Sequence, residues 1–132
     1  MTYHRPTATT VSFTSRGLAR AGAWVHAQIA ADEPARIRGL RGRKALGPND
    51  GMLFTLANAA PPVMTMLGMS IPIDIFFIDD AMTVRDIAEA QPGQAQVLGP
   101  ARTFLVLETQ AGFARRHGIL VGDRIAMDYL QP

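Results

Sequence analysis

Between Trp24 and Ala30 apolar and polar positions alternate, with Val25, Ala27 and Ile29 set against His26 and Gln28. A period of two marks a strand with one buried face. Upstream, Met1 to Gly22 mixes Thr, Ser, Arg and Gly with little periodicity, which predicts a loose arm with a short strand at Val11–Phe13. Downstream, Asp32 can cap a helix, Pro34 suits a first turn, and Ile37 and Leu40 share a face. Gly39 and Gly42 each cost such a helix roughly 1 kcal/mol, so packing must hold it. Gly47-Pro48-Asn49-Asp50-Gly51 ends it. Met52–Leu56 and Val63–Met69 read as strands, separated by Ala59-Ala60-Pro61-Pro62. Ile71–Ile78 is almost wholly apolar and β-prone, as a strand buried on both faces should be. Asp79-Asp80 then turns the chain into Thr83–Ala90, predicting a hairpin. Gln91–Ala101 carries two prolines and two glycines and predicts a surface loop. Arg102–Thr109 is again a strand. Ala111–His117 predicts a short helix closed by Gly118 in the left-handed conformation, with Ile119 as its apolar contact. Val121-Gly122-Asp123 turns into a last strand, Arg124–Leu130.

These elements predict a mainly β (α+β) protein: about seven short strands and two short helices, closed into a small barrel or a two-sheet sandwich to hide strand edges. Residues 1–22 form the arm and 23–132 a single domain. At 132 residues, 48% hydrophobic and 18% charged, the chain can bury a core without a disulfide or metal. The absence of cysteine excludes thiolate metal sites, iron–sulfur centres and cysteine catalysis. No apolar run is long enough to span a membrane, and no signal-peptide core follows the polar start, so the sequence reads as cytoplasmic.

Net charge is only +2 despite a pI near 9.7, because Lys44 is the sole lysine and arginine keeps its charge at any working pH. The basic pI is therefore weak support for a nucleic-acid partner. Arg36, Arg38, Arg41, Arg43 and Lys44 do form a basic segment. It can contact an anion, or it can be a solvated helix face with Arg38 and Arg43 paired to acids such as Asp74 or Glu108. With no aromatics interleaved for base stacking, the second reading is preferred.

The order of four motifs resembles one family. Arg38-Gly39-Leu40 with Arg43 comes first and Gly51-Met52-Leu53-Phe54 second. Ile71 to Asp79 is the third. Val106-Leu107-Glu108 is the fourth, leading to Ala111-Gly112-Phe113, Gly118-Ile119 and Val121-Gly122-Asp123. Together they look like the domain of unknown function 192 family of mostly bacterial and archaeal proteins, over roughly Trp24 to Leu130. The resemblance implies a small β-rich barrel or sandwich with short helices and implies no activity. Many members carry an export signal or lipid anchor, and this chain shows neither. The family usually has an aromatic-Trp-Met-Lys-Asn tract before its Ile-Pro-Leu-Asp. Here Met64, Thr65, Met66, Leu67 and Gly68 stand there, so any role of that Lys and Asn is lost or changed.

Asp74 is the first candidate site residue, because an unpaired carboxylate inside an apolar run is costly. It is either a carboxylate of raised pKa at a pocket floor or a structural acid satisfied by backbone N–H groups or an arginine. The structural role is preferred, since buried acids are normally paired. Asp123 can face a ligand, though Gly-Asp before a strand more often makes a turn in which the Asp bonds its own backbone. Met64 and Met66 can line an apolar pocket or fill the core. His4, His26 and His117 share no ligand spacing, so no metal is expected, and no cofactor motif is present. Ser70 lacks the strand–turn–helix setting of a nucleophile. The leading expectation is a non-catalytic module binding a small molecule or peptide in a cleft near Asp74 and the Met-rich strand. A protein- or RNA-interaction module using Arg36–Lys44 comes next, and a hydrolase or lyase using Asp74 third.

Overall fold

The computed structural model describes residues 7–30, 39–56 and 60–129. Its elements run β1 (Ala8–Ser15), β2 (Leu18–Ala30), β3 (Asp50–Thr55), β4 (Val63–Met64), β5 (Ile73–Ile78), β6 (Val84–Ala90), β7 (Val97–Leu98), β8 (Leu105–Gln110), α1 (Phe113–His117) and β9 (Arg124–Tyr129). Seven strands form one sheet in the order β6-β5-β8-β3-β2-β1-β9, and β4 and β7 form a second. All neighbours are antiparallel except β2 and β3. The protein is mainly β, as the sequence pattern predicts.

The large sheet curls until its edge strands meet. Val84 donates its N–H to Asp123 O at 2.8 Å, Gly122 to Val84 O at 2.8 Å and Ile125 to Met82 O at 2.9 Å. These bonds join the start of β6 to the start of β9 and leave a half-barrel with part of each edge paired, which blunts edge-to-edge association.

Each face of the sheet carries its own core. Inside the curl, Val11, Phe13, Val25, Leu53, Phe76, Ile78, Leu107 and Phe113 pack together. On the other face, Ile73, Ile75 and Phe77 pack with Met52, Phe54 and Val106 beneath Leu40, Leu46, Met66 and Val97. All six residues of β5 are buried because the strand serves both cores. The expected β5–β6 hairpin forms, its turn held by Asp79 Oδ1, which accepts the N–H groups of Ala81 and Thr83 at 3.0 Å each. α1 also forms as expected. Gly118 (φ 65) caps it, Ile119 donates to Ala114 O at 2.9 Å, and the Ile119 side chain is buried.

Three expectations are corrected. The stretch read as a loose arm is β1 and the start of β2, joined by a two-residue turn in which Ser15 pairs with Leu18. Arg16 (φ 52) and Gly17 (φ 78) both take positive φ, the geometry whose twist matches a tight hairpin. The strand expected over Val63–Met69 stops at Met64, since Met66 donates to Gln94 O and Gly68 turns at φ 83. The loop Gln91–Ala101 contains β7. One helix, α1, stands among the described residues. Asp32, Pro34, Ile37, Arg36 and Arg38 lie outside them. From Gly39 (φ 49) to Gly42 (φ 78) the chain is turns, with Leu40 buried. No described helix is long and apolar enough to cross a membrane.

Candidate functional site

A concavity lies where the β1–β2 hairpin faces the end of α1. β2 is irregular there. Ser12 pairs with Trp24 and Thr14 with Ala19, so the four residues Arg20 to Ala23 lie opposite Phe13 alone. Gly22 takes φ 75 within this bulge, and a Cβ at Gly22 would sit 3.5 Å from His117 Cε1. The bulge turns Arg20 out of the ladder toward the loop between α1 and β9; bulges often re-aim a side chain in this way.

The result is a cleft of about 820 Å³ lined by Ser15, Arg16, Leu18, Ala19, Arg20, His117 and Leu120–Asp123. Asp123 anchors it. Its buried carboxylate accepts the Leu120 N–H at 3.0 Å and lies 3.3 Å from Arg20 Nε. That separation makes an ion pair, but the alignment is too poor for a hydrogen bond, so Arg20 Nε–H has no hydrogen-bond acceptor among the described residues. The His117 ring rests 4.5 Å from the Phe113 ring. Burial and the neighbouring Arg116 charge lower its pKa, which favours a neutral imidazole able to donate and accept. Around these polar groups Leu18, Leu120 and Val121 are 73%, 64% and 59% exposed. A fixed cation beside apolar walls is chemically suited to an anionic group on an apolar body.

The residues singled out from sequence do not converge here, Asp123 excepted. Asp74 is buried on the inner face of β5. Its Oδ1 accepts the N–H of Gly112 at 3.2 Å and its Oδ2 that of Ala114 at 3.0 Å, so it holds the start of α1. Arg43 is exposed on the other side of the sheet, where Nη2 donates to Gln28 Oε1 at 3.0 Å beside a second cleft of about 420 Å³. Met66 is in the outer core and Met64 is half-buried against it. Arg38 lies outside the described residues. Arg16, Arg20, Leu18 and Leu120 carry no motif in the sequence, and Val121 enters it only through the Val121-Gly122-Asp123 turn. The only hint was Arg16-Gly17, a dipeptide able to turn, since nothing in the pattern marks the bulge.

No curated protein matches the chain. Two solved structures are similar over most of its length. A Sinorhizobium meliloti protein described as a "putative transcription regulator" is 29% identical with a TM-score of 0.83, covering 96% of this chain and 98% of its own. A Novosphingobium aromaticivorans protein of unknown function is 27% identical with a TM-score of 0.81, covering 90% of this chain and 84% of its own. The model of the domain of unknown function 192 family, described as "Uncharacterized ACR", matches residues 16–127, and the chain belongs to that family.

Proposed function

We propose that this protein is a non-catalytic binding module whose ligand is a small molecule or peptide end bearing a carboxylate. One observation carries the reading: a cleft of about 820 Å³ sets Arg20, held on buried Asp123, among the exposed side chains of Leu18, Leu120 and Val121. Large apolar side chains left open around a preorganised cation are what an amphiphilic anion needs. The engagement of Asp74 by two backbone N–H groups gives no support to acid–base chemistry there.

The test is thermal unfolding with N-acetylated leucyl dipeptides in two forms, free carboxylate and carboxamide. Only a ligand of the folded state raises the midpoint. The acid is expected to raise it and the amide to raise it less. Arg16→Asn removes a cleft charge while keeping a residue that tolerates positive φ, and is expected to shrink the acid's advantage. Equal shifts for acid and amide, or no shift with either, overturn the reading.

A second reading takes its cue from the S. meliloti protein's description and uses Arg41, Arg43 and Lys44, which are exposed side by side. It requires an association with oligonucleotide that weakens steeply with salt. The half-share of Arg43 in a bond to Gln28 and the low net charge place it behind the first.

A further inference from the structure

A further cavity, of about 570 Å³, opens beside the Arg20 cleft and meets it along Arg16 and Gly122, which line both. It lies where the turn between β1 and β2 comes up to the start of β9. Thr14 pairs there with Arg124, and Arg124 with Thr83 across the seam between the sheet edges. Buried Ile125 and half-buried Met82 form its apolar side. Gly122, at φ 98, keeps the passage between the two cavities low. A Cβ at Gly122 would meet no atom within 4 Å, so a side chain there would stand in the space the cavities share.

Charge is one-sided along this joined surface. Its lining holds Arg16, Arg20 and Arg124 against one carboxylate, Asp123. That carboxylate is buried and already engaged by Arg20 and the Leu120 N–H. Arg16 and Arg124 are exposed and form no ion pair among the described residues. Arg124 Nη2 donates to Ala81 O at 3.0 Å, which takes one of the five N–H groups of a guanidinium. A lone carboxylate on Arg20 would leave two unpaired cations beside it. A second acid on the same ligand would be held near them at high effective concentration.

We infer that the ligand is the C-terminal end of an acidic peptide. Its terminal carboxylate meets Arg20, its last side chain is apolar and lies on Leu18, Leu120 and Val121, and an Asp or Glu two residues upstream crosses Gly122 to Arg16 and Arg124. The inference rests on the reading of the Arg20 cleft given above and adds the second acid to it. Two residues upstream is the first position where an extended chain turns a side chain to the same face as its last one, roughly 7 Å away. The lining decides against the competing polyanion. Single-stranded nucleic acid needs aromatic platforms for its bases as well as cations for its phosphates. Among the described residues no Phe, Tyr or Trp lines either cavity, and the walls are aliphatic instead.

The full chain is titrated calorimetrically with N-acetyl-Asp-Ala-Leu, N-acetyl-Asn-Ala-Leu and the carboxamide of the first, with a twelve-residue oligothymidylate in parallel. At low salt the aspartyl acid is expected to bind about threefold more tightly than the asparaginyl acid, the size of an exposed ion pair. The advantage should shrink as salt is raised. Arg124→Gln should bring the aspartyl peptide down to the level of the asparaginyl one. Arg124→Glu should reverse the preference, so that N-acetyl-Lys-Ala-Leu binds more tightly than N-acetyl-Asp-Ala-Leu. Arg124 is exposed, so both variants should unfold at nearly the wild-type temperature. Equal affinity of the aspartyl and asparaginyl acids overturns the inference, while a weaker carboxamide in the same series leaves the Arg20 reading standing. An aspartyl advantage that survives both Arg124 variants overturns it as well, because the acid is then read elsewhere. Absence of binding by every peptide removes both readings, and so does a salt-sensitive response to the oligonucleotide alone.

Discussion

Asp74→Asn is expected to lower the unfolding free energy by roughly 2–3 kcal/mol, a large share of a small domain's stability. α1 begins without a cap of its own: Gly112 stands at its N-terminal boundary, no side chain there bonds the backbone, and no acid lies in its first turn. The first N–H groups of a helix need acceptors, and here Asp74 supplies them from 38 residues upstream, one oxygen to Gly112 and the other to Ala114. Asparagine keeps the shape of the side chain, so packing is not the variable. It can offer one carbonyl oxygen, and its NH₂ must then face the second backbone donor with nothing to accept. Phe113, at the head of the helix, packs 5.8 Å from Phe13 and 6.3 Å from Phe76, centre to centre, so loosening the helix also opens the inner core. Asp74→Ala should cost more, because it leaves both donors unpaired and adds a void. Urea unfolding at neutral pH reads this as a lower midpoint at unchanged slope. A change below about 0.5 kcal/mol, within the range of ordinary surface substitutions, would mean that the carboxylate is not what holds α1.

The same residue shows how much was legible in the sequence. Asp74 stood out because an acid in the run Ile71–Ile78 must find partners. The pattern offered backbone N–H groups or an arginine such as Arg43 as its partners. The backbone of Gly112 and Ala114 holds it and Arg43 bonds Gln28 instead; no local rule links β5 to a helix start so far along the chain. Elements whose signal is local were readable: the β5–β6 hairpin with its Asp79 turn, α1 with Gly118, and the two-sided burial of β5. The β1–β2 hairpin was not, because its turn carries Arg16 at positive φ where Asn, Asp or Gly is the expected residue. Losing that hairpin hid the candidate cleft, since the bulge at Arg20–Ala23 exists only relative to a partner strand. Met64 and Met66 illustrate a different limit. Two residues apart in the strand expected over Val63–Met69, they would share a face, yet the strand ends at Met64 and Met66 enters the core through a turn. Gly68, at φ 83 in that turn, stands where the family resemblance leads one to expect Asn. Both residues accept left-handed backbone, so the turn itself makes no demand that glycine fails to meet. Leu67, in place of the Lys, is half-exposed and changes the chemistry of the surface.

Between pH 4.5 and 7 the protein is expected to lose stability as pH rises, and Glu108→Gln should remove most of that slope. Glu108 lies on the outer-core face of β8, paired across the sheet with Met52 on one side and Ile75 on the other, both members of the apolar cluster there. It is buried, and burial pushes its carboxyl up from 4.5 to about 7. Between those values the folded state holds a proton that the unfolded chain has released, so unfolding releases protons and becomes easier as pH rises. The loss is absent below about pH 4.5 and complete somewhat above pH 7. A shift of this size corresponds to roughly 3 kcal/mol at its fullest. Glutamine matches the neutral acid in shape and never ionises. Glu108→Gln should therefore equal the wild type near pH 4 and exceed it by up to that amount near pH 8. His117 acts in the opposite direction. Its lowered pKa means that the unfolded chain binds the extra proton, so its contribution raises stability as pH climbs toward 6.5 and adds nothing further above it. Comparing the two proteins at each pH cancels that term, because His117 is present in both. Urea midpoints from pH 4 to 8 that stay parallel for wild type and Glu108→Gln would show that the carboxylate ionises in place without penalty, and would remove Glu108 as a source of pH sensitivity.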